Sequence, residues 1–282
     1  MRILLTGKNG QIGGALQSAL ESKGDVLALG RAELDLANAD AIIAAVRRFK
    51  PQLIVNAAAY TAVERAESEA ELADAINAKA PAVLAAEAKR LDALLLHYST
   101  DYVFDGRKTT PYIETDPTGP LNAYGRSKLG GERAISASGC RHLILRTSWV
   151  YGARGQNFLL NVLRLGRERP QLRVVNDQIG APTWCRHVAQ MSLQMLEEER
   201  DSGIYHATDG GSTSWQGFAT EIFKLTGIQT PVFGIASEDY PTPAQRPRNS
   251  RLDNAKRLAI GGTQRAWQEG LSECLRELGI KP

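Results

Sequence analysis

At the very start of the chain a short aliphatic run, Ile3-Leu-Leu-Thr6, meets Gly7-Lys-Asn-Gly10-Gln-Ile-Gly13, and a segment with helical spacing follows. This order of strand, glycine turn and helix constrains the fold more than any other feature. The turn must be tight, and glycine lets the backbone come close to a pyrophosphate. The next helix offers free N–H groups and a partial positive charge to phosphates. A glycine triplet in another setting is weak evidence; at the end of the first strand it predicts a dinucleotide-binding turn, with Gly7, Gly10 and Gly13 as its candidates.

The alternation continues beyond this turn. Apolar residues at helical spacing (Ile12, Ala15, Leu16, Ala19, Leu20) predict a helix ending near Lys23-Gly24. Further strands are predicted at 26–29, 53–55, 93–98 and 143–146, with helices over 39–49, 70–91 (interrupted at Pro81) and after Ala123. A helix at 158–167, a strand at 172–175 and a helix from His187 to about Glu199 extend the pattern. Continuous apolar strands separated by helices imply a parallel sheet buried on both faces. The expected fold is α/β: a Rossmann-like, doubly wound parallel sheet with a smaller, mostly C-terminal substrate lobe. The body would comprise residues 1–150, continued by about 172–206. The lobe would comprise 151–171 and about 207–282, laid over the carboxyl ends of the strands, where such sheets bind ligands.

Composition excludes several function classes. With 43% hydrophobic and 23% charged residues, the 282-residue chain has the balance of a folded globular protein rather than a disordered one. Its 34 basic and 31 acidic residues leave a net charge of +3, which gives no reason to expect nucleic acid or an anionic membrane as partner. The first apolar run is too short for a signal peptide, and no stretch is long enough to span a bilayer. Cys140, Cys185 and Cys274 are scattered, with no C-x-x-C, which fits a reducing, cytoplasmic setting. His97, His142, His187 and His206 lack metal-ligand spacing, so no metal is expected.

The residues after the second strand bear on the choice of cofactor. A carboxylate there would bond the adenosine ribose and favour NAD; an arginine accommodates the 2′-phosphate of NADP. Here Gly30-Arg31 occupies that place and the first carboxylate is Glu33, so Arg31 is a candidate phosphate clamp. Asp35 and Leu36 follow at a distance suited to the adenine pocket. Asn56-Ala-Ala-Ala59 closes the third strand with side chains small enough for a cofactor to lie against the backbone.

Tyr124-Gly-Arg-Ser-Lys128 puts a phenol and an ammonium one helical turn apart. The positive charge should lower the tyrosine pKa, letting Tyr124 give a proton to a carbonyl oxygen while hydride reaches the carbon. Lys128 could also hold the nicotinamide ribose. The spacing alone arises by chance in roughly one chain in four of this composition. Its context carries more weight: none of the other tyrosines has lysine at +4, and the pair falls just before the fifth strand. Ser99-Thr100-Asp101 stands just past the fourth strand, where a hydroxyl can hold the same carbonyl oxygen.

These residues resemble the extended short-chain dehydrogenase/reductase superfamily. The longer strings are similar to those of its dTDP-sugar reductases: His97-Tyr-Ser-Thr-Asp-Tyr-Val-Phe-Asp-Gly106, Arg146-Thr-Ser-Trp-Val-Tyr151, Asn176-Asp-Gln-Ile-Gly-Ala-Pro-Thr183 and Arg246-Pro-Arg-Asn-Ser-Arg-Leu252. The resemblance implies that NADPH, with NADH as the alternative, reduces the C4 keto group of dTDP-4-dehydro-L-rhamnose. It makes Tyr124 the acid, Lys128 its partner and Thr100 the carbonyl-orienting hydroxyl. Asp101 and Trp149 would border the sugar. Gly10, Gln11, Ile12, Asp35, Leu36, Ala59, Tyr60 and Thr61 would contact the cofactor. Arg246 is a candidate for the diphosphate, with a structural ion pair as the equal alternative. Some members hold Mg²⁺ through carboxylates at the positions of Ala15 and Arg186; neither residue can ligate it, so a metal-bridged dimer is not expected and the chain should be a monomer or weak homodimer.

Two other functions compete. A sugar-nucleotide dehydratase or epimerase of the same superfamily is the nearer one, but a dehydratase typically carries Asp-Glu after the threonine, and here Tyr102 follows Asp101. A non-catalytic dinucleotide-binding subunit would not need Thr100, Tyr124 and Lys128 together.

Overall fold

The computed structural model describes residues 1–197 and 201–281. Strands β1 (Arg2–Thr6), β2 (Asp25–Leu29), β3 (Leu53–Asn56), β4 (Leu94–Thr100) and β5 (His142–Thr147) lie in one parallel sheet. Four short strands follow: β6 (Val150–Tyr151), β7 (Leu172–Val175), β8 (Ile179–Gly180) and β9 (Thr183–Trp184). Strand β10 (Gly203–His206) then pairs with β5 and completes a six-stranded sheet of order β10-β5-β4-β3-β1-β2. The chain enters at β1, runs to the β2 edge, and returns to β3 on the other side of β1. That reversal opens a crevice at the carboxyl ends of β1 and β3, the switch point where such sheets take ligands.

Helices cover both faces. Helix α1 (Gln11–Glu21) and helix α8 (Cys185–Glu197) lie on one side, burying Leu16, Leu20, Val188 and Met191. The predicted extension of the latter to about Glu199 lies outside the described residues. Helix α2 (Ala39–Phe49), helix α5 (Ala80–Leu91) and helix α6 (Ala123–Ser138) cover the other face through Ile42, Val46, Leu84 and Ile135. Local chemistry sets the bounds of α2. Asn38 accepts from the Ala41 N–H at 3.0 Å, and Lys50 ends the helix in the left-handed region with φ 50°.

The segment predicted as helical over 70–91 with an interruption at Pro81 is helical there but changes character before the proline, and α3 (Val63–Ala66) precedes it. α4 (Ala70–Asp74) passes into a π-turn, Ala75–Lys79, before α5 begins. Pro81 is the second residue of α5 and directly follows that π-turn in continuous helical backbone. The change therefore precedes the proline and places Asn77 inward.

Strand β7 departs from the expected continuation of the main sheet. It pairs in parallel with β12 (Val232–Ile235) as a separate two-stranded sheet. Its Arg173 is exposed, whereas Tyr205 and His206 of β10 are buried. A second apolar cluster gathers α7 (Phe158–Glu168), α9 (Trp215–Thr226) and α11 (Trp267–Glu277) through Leu159, Val162, Phe218, Ile222, Trp267 and Leu271. β11 (Thr213–Ser214) and α10 (Ala255–Leu258) complete the strands and α-helices among the described residues.

Candidate active site

A cleft of about 1050 Å³ runs along the carboxyl ends of β1, β3, β4 and β5. The glycine turn forms its floor. Gly7 has φ +77°, and a Cβ there would lie 2.6 Å from the Ala58 nitrogen. A Cβ on Gly13 would collide with the Gly7 carbonyl. Gly7 and Gly13 are thus demanded by packing, and Gly13 lies behind the cleft rather than on its wall. Gly10 precedes α1, and no side chain caps that helix. Its first N–H groups are left for an anion.

The other predicted cofactor residues line the same cleft: Gln11, Ile12, Arg31, Asp35, Leu36, Ala59, Tyr60 and Thr61. Arg31 is exposed. Glu33 is turned away into its own loop, accepting from the Gly30 N–H at 2.8 Å and from Lys8 Nζ at 2.6 Å. The Lys8 bond holds the Glu33 carboxyl below its ordinary range. No other acidic side chain stands between β2 and Glu33. Asn77, from the π-turn, clamps Tyr60 by accepting from its N–H at 2.9 Å and donating to its carbonyl at 2.9 Å.

Helix α6 brings up the Tyr/Lys pair. Asn122 caps it, accepting from the Gly125 N–H at 2.8 Å. Gly125 rides against the Tyr102 carbonyl and Gly131 against the Asn77 carbonyl; a Cβ at either would collide. Tyr124 lines the cleft, with its ring 5.9 Å edge-on from Tyr102. Lys128 is 2% exposed and donates to the Tyr98 carbonyl at 2.5 Å, with His97 Nε2 at 3.4 Å.

One expectation is corrected here. The lysine was expected to lower the tyrosine pKa. Burial instead pushes Tyr124 well above its ordinary value, with Thr100 opposing it, and burial draws Lys128 down to about 8 against the pull of Glu132. The Lys128 ammonium points to Tyr98 and His97, so desolvation outweighs its field at the phenol. Tyr124 is therefore a neutral phenol, with a proton to give.

Thr100 donates to Asp101 Oδ1 at 2.9 Å. Asp101 is 2% exposed, and burial raises it to about 7. Its Oδ2, the Ser99 and Thr147 hydroxyls and Arg246 Nε are buried without a hydrogen-bond partner, and all four residues line the cleft. Orphaned polar atoms converging on one cavity fit a polar ligand. With the glycine cradle, they fit a dinucleotide and a polar second ligand. Arg246 also pairs with Glu64 at 2.6 Å, so the ion-pair alternative is present without removing it from the wall.

Trp149 holds a left-handed backbone, φ +47°, which strains a bulky residue. Its indole stacks on Trp215 with centroids 3.5 Å apart and planes 6° from parallel. Sequence reasoning missed Trp215: it opens a helix 66 residues away, and only the fold joins them. Asn77 was missed too, though an asparagine inside a helical run just before Pro81 was a usable signal. Asn56 and His97, polar residues within apolar strands, were another.

Comparison with known proteins agrees with this geometry. The family described as RmlD substrate binding domain matches residues 1–280. A dTDP-4-dehydrorhamnose reductase from Burkholderia thailandensis is 45% identical, over 99% of each chain. The crystal structure of a dTDP-4-dehydrorhamnose reductase from Clostridium acetobutylicum superposes with TM-score 0.96 and 39% identity, covering 99% of this chain and 100% of that one. The Bacillus anthracis reductase, solved in complex with NADP, gives TM-score 0.94 and 35% identity over 98% and 99% of the two chains. With the match running almost from end to end, this chain belongs to the RmlD substrate binding domain family.

Proposed function

We propose that the protein reduces the C4 keto group of dTDP-4-dehydro-L-rhamnose with NADPH, yielding dTDP-L-rhamnose. The observation that supports this reading is that Thr100, Tyr124 and Lys128 all line the one cleft whose floor is the glycine turn. The bound cofactor supplies hydride to the carbonyl carbon. The residues do the rest. Thr100 holds the carbonyl oxygen by its hydroxyl. Tyr124 transfers its phenolic proton to that oxygen as negative charge develops there. Lys128 anchors the ribose and steadies the phenolate that remains. Asp101 and Trp149 border the sugar, Arg246 faces the diphosphate, and Arg31 takes the 2′-phosphate.

The second apolar cluster, carrying Trp215, serves as the substrate lobe. A single carboxylate after Thr100 suits a reaction with one proton donor; elimination of water would need a second group where Tyr102 stands. The product would feed cell-surface polysaccharide, such as lipopolysaccharide O-antigen. The protein would work in the cytoplasm as a monomer or weak homodimer. Among the described residues no helix is long and apolar enough to cross a membrane. Mixing the purified protein with NADPH and the dTDP-keto sugar tests the reading: nicotinamide absorbance should fall with substrate, and an unchanged signal would overturn it.

A further inference from the structure

Thr6 on β1, Asn56 on β3 and His97 on β4 are register partners, side by side across three neighbouring strands. Each is at most 2% exposed. The strands around them are apolar, so a row of three polar side chains here needs a reason. The row is bonded end to end. Thr6 Oγ1 lies 2.7 Å from Asn56 Oδ1, the Asn56 amide nitrogen lies 3.0 Å from His97 Nδ1, and His97 Nε2 lies 3.4 Å from Lys128 Nζ. It therefore ends on the lysine of the reacting pair.

We propose that His97 is a positioning residue for this reduction: its Nε2 receives one of the Lys128 ammonium protons, and the Asn56 carboxamide fixes which ring nitrogen is bare. The argument is one of donors and acceptors. An ammonium has three protons and no lone pair. One of them goes to the Tyr98 carbonyl. A second must meet an acceptor at His97, because a ring N–H there would oppose it. The neutral ring must then carry its proton on Nδ1, and Nδ1–H needs an acceptor. As placed, the Asn56 amide nitrogen faces Nδ1 and Thr6 donates to the Asn56 oxygen, so the proposal turns the carboxamide over: its oxygen then accepts from Nδ1–H and its nitrogen donates to the Thr6 hydroxyl, an exchange of two atoms of equal size. The third ammonium proton is left for the cleft.

Electrostatics agrees with this arrangement. Burial, together with the Lys128 charge, holds His97 well below its ordinary range, so the ring stays neutral. Glu132 on α6 acts on Lys128 and is itself engaged by Arg146 on β5 at 2.7 Å, while Tyr124 on α6 and Asp101 after β4 line the cleft with Lys128. Glu87 on α5 is taken up by Arg47 and Arg90, and β1 and β3 contribute only uncharged Thr6 and Asn56. An acceptor at Nε2 favours the charged lysine against desolvation, so losing it should let the ammonium release its proton at lower pH and move the alkaline limb of turnover the same way.

The part concerning turnover rests on the reductase reading; the part concerning the ring does not. Nitrogen-15 NMR of histidine-labelled, cofactor-free protein, with the His97 signals assigned by their loss in His97→Gln, should show a protonated Nδ1 and a bare Nε2. A protonated Nε2 overturns the proposal whatever the activity. In the pH profile of kcat, His97→Leu should lose at least tenfold and move its alkaline limb to lower pH. His97→Gln, whose carbonyl can reach Lys128, should keep both near wild type. A folded His97→Leu with unchanged kcat and limb, or Gln and Leu variants equally impaired, overturns it. Wild-type protein that lacks turnover but shows the expected ring tautomer would sink the reductase reading alone.

Discussion

Tyr124 and Asp101 show how burial sets protonation before any ligand arrives. Tyr124 keeps its proton because the cleft desolvates the phenolate. Tyr124→Phe should therefore bind NADPH as wild type does, measured by fluorescence titration, while kcat falls by about 10²–10⁴, the usual worth of a general acid. Asp101 has a folded pKa of about 7 against an ordinary 3.8. Between those values the unfolded chain releases the proton while the folded chain keeps it, so this residue costs stability increasingly as pH rises, and fully above about 7. Asp101→Asn should thus raise Tm at pH 8, by an amount corresponding to at most about 4 kcal/mol at roughly 1.4 kcal/mol per pKa unit, and leave it nearly unchanged at pH 4. Thermal melts at the two pH values check the sign. The Tyr/Lys spacing was legible in the sequence; the sign of the tyrosine shift was not, because it depends on how deeply α6 is buried and on where Lys128 points.

At the level of elements, α6 can deliver its pair only because glycines let it approach its neighbours. Gly131→Ala would press a methyl into the Asn77 carbonyl. It should cost about 1–3 kcal/mol in urea unfolding, as overpacking commonly does, and weaken turnover by displacing the helix. The loop after β2 makes the matching prediction for the cofactor. Glu33 is bonded to Lys8 and Gly30, and the carboxylate that feels the Arg31 charge is Glu69, elsewhere on the cleft lining. Arg31→Asp should shift the NADPH/NADH ratio of kcat/KM toward NADH, and steady-state kinetics with both cofactors will show it. Elements with strong periodicity, such as α2 and β3, were legible from their residues. The π-turn was not, although it carries Asn77, whose clamp on Tyr60 joins residues 17 apart in sequence.

At the scale of the whole molecule, alternating strands and helices were enough to indicate a doubly wound parallel sheet and the cleft at its carboxyl edge. They were not enough to decide which later strand closes that sheet. β7 and β10 are both four residues long and read alike; what separates them is tertiary, namely whether both faces end up covered. The Trp149–Trp215 stack was hidden for the same reason. The cysteines offer a way to watch this architecture come apart. Cys140 belongs to the cluster on the α5 side of the sheet, whereas Cys185 and Cys274 belong to the cluster of α7, α9 and α11. All three are free and buried, and burial raises each thiol. They should stay silent to an alkylating reagent until their surroundings open. Mass spectrometry of the protein alkylated during slow denaturation then works as a pair of clocks: adducts gained together mean that the two halves melt as one, and adducts gained in sequence reveal which half lets go first.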